Sequence, residues 1–212
     1  RVEQLLDAGA NVNECDGQRQ TALHSAARGG YGEVVRVLLA RNAKVNAVAL
    51  HGRAPLHMAA LGGHDGVVAS LVRRNAALDA RTNDERAWTP LHCAVHAGSA
   101  STLKLLLDAG ADLGVCGARG WTALHQAAFL GHYKCTELLL EAGGDTLQRN
   151  ESGKTPSRLA KEQKHAKVYQ LIQRYKKVHL AQAKQNVALR AKGGAGAPAA
   201  RGGGGAANGG GK

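Results

Sequence analysis

Apolar residues recur at helical spacing in short segments along the chain. In one segment, Val34, Val35, Leu38 and Leu39 would share one face of a helix, and the residues between them would face water. Each segment stops at a glycine or an asparagine, the residues that best tolerate the positive φ of a helix end: Gly9, Asn42, Asn75, Gly110 and Gly143. The pattern predicts a series of short amphipathic helices.

A four-residue motif recurs between these segments, with copies spaced by 33, 35, 33 and 33 residues. The copies are Thr21-Ala22-Leu23-His24, Ala54-Pro55-Leu56-His57, Thr89-Pro90-Leu91-His92, Thr122-Ala123-Leu124-His125 and the degraded Thr155-Pro156-Ser157-Arg158. The two additional residues fall in the polar stretch 80–88, where a surface loop tolerates an insertion. A fixed period of this length predicts a repeat architecture.

The local chemistry of each copy predicts a helix, a tight turn, a second helix and an extended finger. Threonine is a good N-cap, and proline suits the first helical position because its missing N–H would be unpaired there. Small residues such as Ala26 and Ala27 follow and allow a neighbouring helix to approach, and a glycine turn such as Gly29-Gly30 ends the first helix.

These residues resemble the ankyrin repeat, whose T-P-L-H-x-A signature and period match unit by unit over about residues 1–177. The resemblance implies an all-α repeat solenoid: a stack of helix-turn-helix units with projecting β-hairpin fingers and a concave face. A single unit cannot bury its apolar face, so neighbouring units supply the core.

The resemblance also suggests domain bounds. We expect a partial repeat over 1–20, full repeats over 21–53, 54–88, 89–121 and 122–154, and a polar C-terminal capping repeat over 155–177. The chain opens without Met in the second helix of a unit, so we expect further repeats or another domain upstream. A basic, Ala-rich helical extension over 178–192 and a disordered Gly/Ala-rich tail over 193–212 complete the prediction.

The charge of the chain is concentrated near its C-terminus. The formal net charge is +12, but residues 1–154 hold 16 basic and 15 acidic side chains, whereas 155–212 hold 12 basic residues and only Glu162 as an acid. No stretch approaches 18 uncharged apolar residues, which excludes a transmembrane helix from this sequence. The four cysteines are irregularly spaced, so we expect reduced thiols in the cytoplasm or nucleus.

Three sequence features that suggest chemistry have simpler explanations. The motif histidines repeat along a stack instead of converging on one metal, and Cys93 with His96 has no second pair at zinc spacing. In the resembled family this histidine bonds the Thr at the helix start and the neighbouring unit. Gly153-Lys154-Thr155 lacks the first glycine of a phosphate loop, because Gln148 stands there. We therefore expect no catalysis, metal, cofactor or small-molecule substrate.

The resemblance places partner binding on the finger tips and on the exposed face of the first helices. The finger candidates are Gln20, Leu50, His51, Arg53, Arg86, Trp88, Arg119 and Trp121. The first-helix candidates are Arg28, Leu61, His96, Phe129 and Leu130. Both tryptophans precede a motif threonine, so we expect them side by side on adjacent fingers in an apolar, Arg-rimmed groove. In the competing interpretation they only pack against the neighbouring finger.

We expect a monomeric, non-catalytic module, a scaffold or adaptor, that binds a partner protein in this groove. Two alternatives stay open. The chain could be the ankyrin segment of a larger enzyme or channel. It could instead bind nucleic acid or an acidic membrane through the basic residues of 161–192, although these residues are also typical of a solvated helix face.

Overall fold

Paired short helices form where the repeat pattern predicts them. The computed structural model describes residues 1–178. Its α-helices are α1 (Val2–Asp7), α2 (Ala22–Gly29), α3 (Gly32–Ala40), α4 (Pro55–Gly62), α5 (Asp65–Val72), α6 (Pro90–His96), α7 (Ala100–Asp108), α8 (Ala123–Leu130), α9 (Tyr133–Glu141) and α10 (Pro156–Glu162), followed by α11, which begins at residue 166 and is described as far as residue 178. Single turns of 3-10 helix lie in two of the fingers, at Leu50–Gly52 and Ala118–Gly120. Apart from Val178, the predicted extension over 178–192 and tail over 193–212 lie outside the described residues.

The helices of residues 1–175, one compact unit, form two layers. The first helices of successive repeats (α2, α4, α6, α8 and α10) pack against one another in chain order, and the second helices (α1, α3, α5, α7 and α9) do the same. The first helices can approach closely because the residues between them are small and fully buried, as at Ala27, Ala60, Ala94 and Ala128. The predicted helical solenoid is confirmed.

The fingers between repeats are tight turns, and the predicted β-hairpins are not confirmed. Within residues 1–178 there is no strand, only an isolated bridge between Cys15 and Thr21. One backbone hydrogen bond closes each finger, which is too few for a ladder. The closing N–H to O=C pairs are Asp16–Gln20, Ala49–Arg53, Thr82–Trp88, Gly117–Trp121 and Asn150–Lys154.

Adjacent fingers are joined by single backbone hydrogen bonds. The N–H to O=C pairs are Leu50–Gln18, Asn83–His51, Ala118–Arg86 and Glu151–Arg119. This contact requires a very close approach at Gly52, which has a positive φ and whose added Cβ would lie 2.6 Å from the backbone nitrogen of Asn83. The fingers therefore form a continuous row along the groove.

The two additional residues of the repeat 54–88 lengthen its finger. Asp84 Oδ1 accepts hydrogen bonds from the Thr82 hydroxyl and from the backbone N–H groups of Arg86 and Ala87. Burial alone would raise the pKa of Asp84, but these hydrogen bonds and nearby Arg53 together hold it below its usual value. Asp84 thus stays ionised and orders the loop that ends at Trp88.

The buried motif histidines join the first helix of each repeat to the finger that ends the same repeat. Within a unit, the Nδ1 atom of His92 lies 2.8 Å from Thr89 Oγ1 and accepts the Thr89 backbone N–H. Its Nε2 lies 3.0 Å from the carbonyl oxygen of Trp121. Because a carbonyl can only accept, Nε2 carries the proton. The bond to Thr89 is the one that the resemblance implied, whereas the Nε2 partner is the last residue of the same repeat and directly precedes the next motif threonine.

The same link recurs at the other three motif histidines. The Nε2 atom of His24 reaches the carbonyl of Arg53, and that of His125 reaches the carbonyl of Lys154. The Nε2 atom of His57 is shared between two carbonyl oxygens, that of Ala80 at 2.9 Å and that of Trp88 at 3.1 Å. Burial lowers the pKa of all four imidazoles, and it lowers that of His92 to about 4. These side chains are therefore neutral at pH 7.

The C-terminal repeat presents a polar outer surface. Arg158 takes the place of the buried histidine and is exposed, as are Lys161, Glu162 and Lys164. Beneath them, α11 buries Val168, Leu171 and Ile172. Tyr169 and Tyr175 pack against the core.

Truncation of a fully buried leucine in α7 tests the assignment of the core. Leu106 is completely inaccessible to solvent. We expect Leu106→Ala to lower the free energy of unfolding by about 2–5 kcal/mol, because it removes buried methyl groups and leaves a cavity. Urea unfolding measures this change. Leu147→Ala is the matched control, since Leu147 is half exposed, and equal midpoints for the two variants would contradict the assignment.

Acid should destabilise the stack through its buried histidines. A histidine whose folded pKa is depressed contributes stability above its unfolded pKa of about 6.5, and this stability is lost as the pH falls towards the folded value. We therefore expect the free energy of unfolding to fall as the pH drops below about 6.5, and for His92 this loss continues to about pH 4, with a slope approaching about 1.4 kcal/mol per pH unit.

The measurement is urea unfolding across this pH range, for the wild type and for His92→Gln. The variant should show a shallower pH dependence, because it has lost one buried titrating group. A free energy of unfolding that does not change between pH 7 and pH 5 would show that these histidines are not held neutral.

Candidate partner-binding groove

Every candidate binding residue lines one of two clefts between the finger turns and the first helices. The first cleft, of about 470 Å³, lies between the first two finger turns and α2 and α4; its predicted members are Gln20, Arg28, Leu50, His51, Arg53 and Leu61. The second, here called the aromatic cleft, has about 440 Å³ and lies against α6 and α8; its predicted members are Arg86, Trp88, His96, Arg119, Trp121, Phe129 and Leu130.

Each tryptophan pairs with a ring on the helix that follows it. The centroids of Trp88 and His96 are 4.7 Å apart, and those of Trp121 and Phe129 are 5.2 Å apart in an edge-to-face arrangement. Both partners lie eight residues after their tryptophan, because the chain enters the helix directly after the finger and two helical turns bring it back beneath the ring.

The two tryptophans line the same cleft, as expected from their equivalent positions. They differ in their surroundings, however. Trp88 packs partly against the hydrophobic core, and the guanidinium carbon of Arg86 lies 4.8 Å from its ring centroid. Trp121 makes its ring contacts with His125 and Phe129, and Phe129 remains about one-third exposed. Packing against the core thus explains why Trp88 is partly buried, whereas Phe129 leaves apolar surface exposed in the cleft.

The groove is positively charged, although the repeat body is close to neutral. Arg28 and Arg53 line the first cleft, and Arg86 and Arg119 line the aromatic cleft. Arg53 lies 3.6 Å from Asp84, whereas Arg86 and Arg119 form no ion pair with the described residues. Burial, together with the charge of Arg86 and the nearby His132, lowers the pKa of His96, so that imidazole is neutral at pH 7.

Sequence reasoning missed several residues of these clefts. They are Gln18, Ala49, Met58 and Gly62 in the first cleft, and Glu85, Gly117, Ala118 and Gln126 in the aromatic cleft. Helical spacing could have identified Gln126, which lies three and four residues before Phe129 and Leu130 and so shares their helix face. The finger members have no such signal, because they are placed by turns.

The described residues offer no group of three His, Cys, Asp or Glu side chains that could hold a metal ion. All four cysteines are free, and burial raises the pKa of the Cys93 thiol to about 12, so this thiol stays protonated. Over residues 1–178 no helix is long and apolar enough to cross a membrane. The groove combines exposed apolar rings with arginines, which is a surface suited to binding a polypeptide.

Comparison with known proteins gives a family match across most of the chain. The family model described as ankyrin repeats (3 copies) matches residues 1–82, 49–115, 74–150 and 100–182, and these overlapping matches together cover residues 1–182. No curated protein matches the chain significantly.

Proposed function

Because the chain belongs to the ankyrin-repeat family, whose repeats generally mediate protein–protein interaction, we propose that it is a non-catalytic module that binds a partner protein in its concave groove. The observation that carries the proposal is that two adjacent clefts hold every finger and helix residue selected from the sequence.

The chemistry of the aromatic cleft supports this function. Tryptophan and arginine are the side chains most enriched in binding hot spots, and here Trp88, Trp121, Arg86 and Arg119 line one concavity. Leu50, Leu61 and Phe129 add exposed apolar area along the same face. A partner that covers these side chains would remove apolar surface from water without disturbing the buried core.

The free cysteines support a reducing compartment, so we place the module in the cytoplasm or nucleus. We further propose that it acts as a monomeric scaffold or adaptor. Its groove would serve the same role if the repeats formed part of a larger enzyme or channel.

Removing the two tryptophans tests the groove directly. We expect Trp88→Ala with Trp121→Ala to abolish capture of partner proteins from cell lysate, because both side chains line the aromatic cleft. The measurement is quantitative mass spectrometry of proteins retained by the full chain and by the variant. Leu147→Ala is the matched control, since it removes a half-exposed apolar side chain that lines neither cleft.

Two checks make this comparison decisive. Circular dichroism and thermal unfolding must show that the double variant is folded at the temperature of capture, because Trp88 packs partly on the core. Capture is repeated at low and moderate salt, since phosphate contacts made by a basic segment weaken steeply with salt. A folded double variant that retains the same proteins as the wild type would contradict the proposed function.

A further inference from the structure

The aromatic cleft contains a buried hydrogen-bond acceptor that has no donor. Gln126, on α8, is more than nine-tenths buried, and its Oε1 atom has no partner within the described residues. An unpaired buried polar atom destabilises the folded chain. Nothing in the core explains this side chain, but it lines the cleft beside Trp121 and Phe129.

We propose that the aromatic cleft binds an acidic linear peptide segment: an apolar side chain packs on Trp121 and Phe129, a carboxylate pairs with Arg86 and Arg119, and a backbone N–H of the segment bonds Gln126 Oε1. The proposal rests on the proposed function and names the chemistry of the partner at that site.

The charge of the cleft selects for carboxylates. Arg86 and Arg119 both line it without an ion pair in the described part of the chain, and Glu85 is the acid beside them. Arginine presents a planar fork of N–H donors that matches a carboxylate in a bidentate pair. Arg28 and Arg53 extend positive charge into the first cleft. The same positive charge would repel the chain's own basic segment after residue 155, so this segment is disfavoured as the occupant of the cleft.

The unpaired oxygen of Gln126 requires a hydrogen-bond donor on the bound segment. Its Oε1 is shielded from water in the free chain, so a ligand reaches it after rotation about the terminal side-chain torsion, which has a broad energy profile. An extended peptide has backbone N–H groups to donate, because it has no helix of its own to use them. A second acceptor, Gln20 Oε1, is also buried and unpartnered in the first cleft. Both clefts therefore favour an occupant rich in free N–H groups.

Phe129 and Trp121 provide the apolar contact. Their edge-to-face arrangement leaves Phe129 exposed at the end of α8, and Leu130 lies next to it on the same cleft. A leucine or aromatic side chain of the segment would be covered on one side by these rings. Guanidinium groups at the rim would hold the neighbouring carboxylate, as is common around apolar hot spots.

Selection from a library of short random peptides, with the full chain as bait, identifies the preferred ligand chemistry. We expect the recovered peptides to carry aspartate or glutamate close to a leucine or aromatic residue. Enrichment of basic peptides, or recovery of no peptide, would overturn the proposal. Recovery of no peptide would not contradict the proposed function, because such a library contains no folded partners. The lysate capture tests that function separately.

Fluorescence polarisation with one recovered peptide then tests the individual contacts. We expect Arg86→Ala with Arg119→Ala to weaken binding at least about tenfold and to reduce its salt dependence. Arg74→Ala is the matched control, since Arg74 is exposed and lines neither cleft. A peptide with its acids replaced by amides should lose the same affinity and show no further loss on the double variant.

Gln126→Met tests the unpaired acceptor while preserving side-chain length. We expect weaker peptide binding but unchanged or greater thermal stability, since the free chain no longer buries an unpaired oxygen. A lower stability with unchanged affinity would show a structural role and overturn this part of the proposal. Peptide affinity that survives Trp88→Ala with Trp121→Ala would contradict the groove itself, and with it the proposed function.

Discussion

The structure depends on a buried imidazole that bonds the start of the first helix of a repeat and the finger that ends the same repeat at once. At each motif histidine, Nδ1 accepts from the start of its own helix and Nε2 donates to the carbonyl that ends the next finger. For His57 and His92 that carbonyl belongs to Trp88 and Trp121. The hydrogen bond that joins the first helix of a repeat to its finger therefore also fixes the backbone of both groove tryptophans. Stability and binding surface share this interaction, which requires the histidine to be neutral.

Much of the fold could be predicted because its determinants are local. The side chains of Thr89, Thr122 and Thr155 cap the helices they precede, and glycine or asparagine adopts a positive φ at each predicted helix end. The fingers could not be predicted as well. At their tips, Arg19, His51, Ala87 and Arg119 adopt left-handed backbone conformations, which are unfavourable for residues other than glycine. Hydrogen bonds to the next finger offset this conformational cost, and no local sequence pattern reveals those bonds.

The groove residues could be selected from the repeat, but their contacts could not. Equivalent positions placed both tryptophans in one cleft, yet the partner of each ring is set by the residue eight positions later, His96 or Phe129. Net charge was a poor guide as well, since most of the net positive charge lies after residue 154 while the charge of the groove comes from single arginines on separate units. Gln126 acquires its significance only from burial, which depends on the packing of α8.

The most direct test of the account is a spectrum of the two indole N–H groups, because the chain has two tryptophans. The account predicts that His92→Gln shifts the resonance of Trp121 and that His57→Gln shifts that of Trp88. His24→Gln is the matched control, since its finger ends at Arg53, and it should leave both resonances in place. If neither indole responds to its own histidine, or if both shift alike in all three folded variants, the buried histidines do not set the groove.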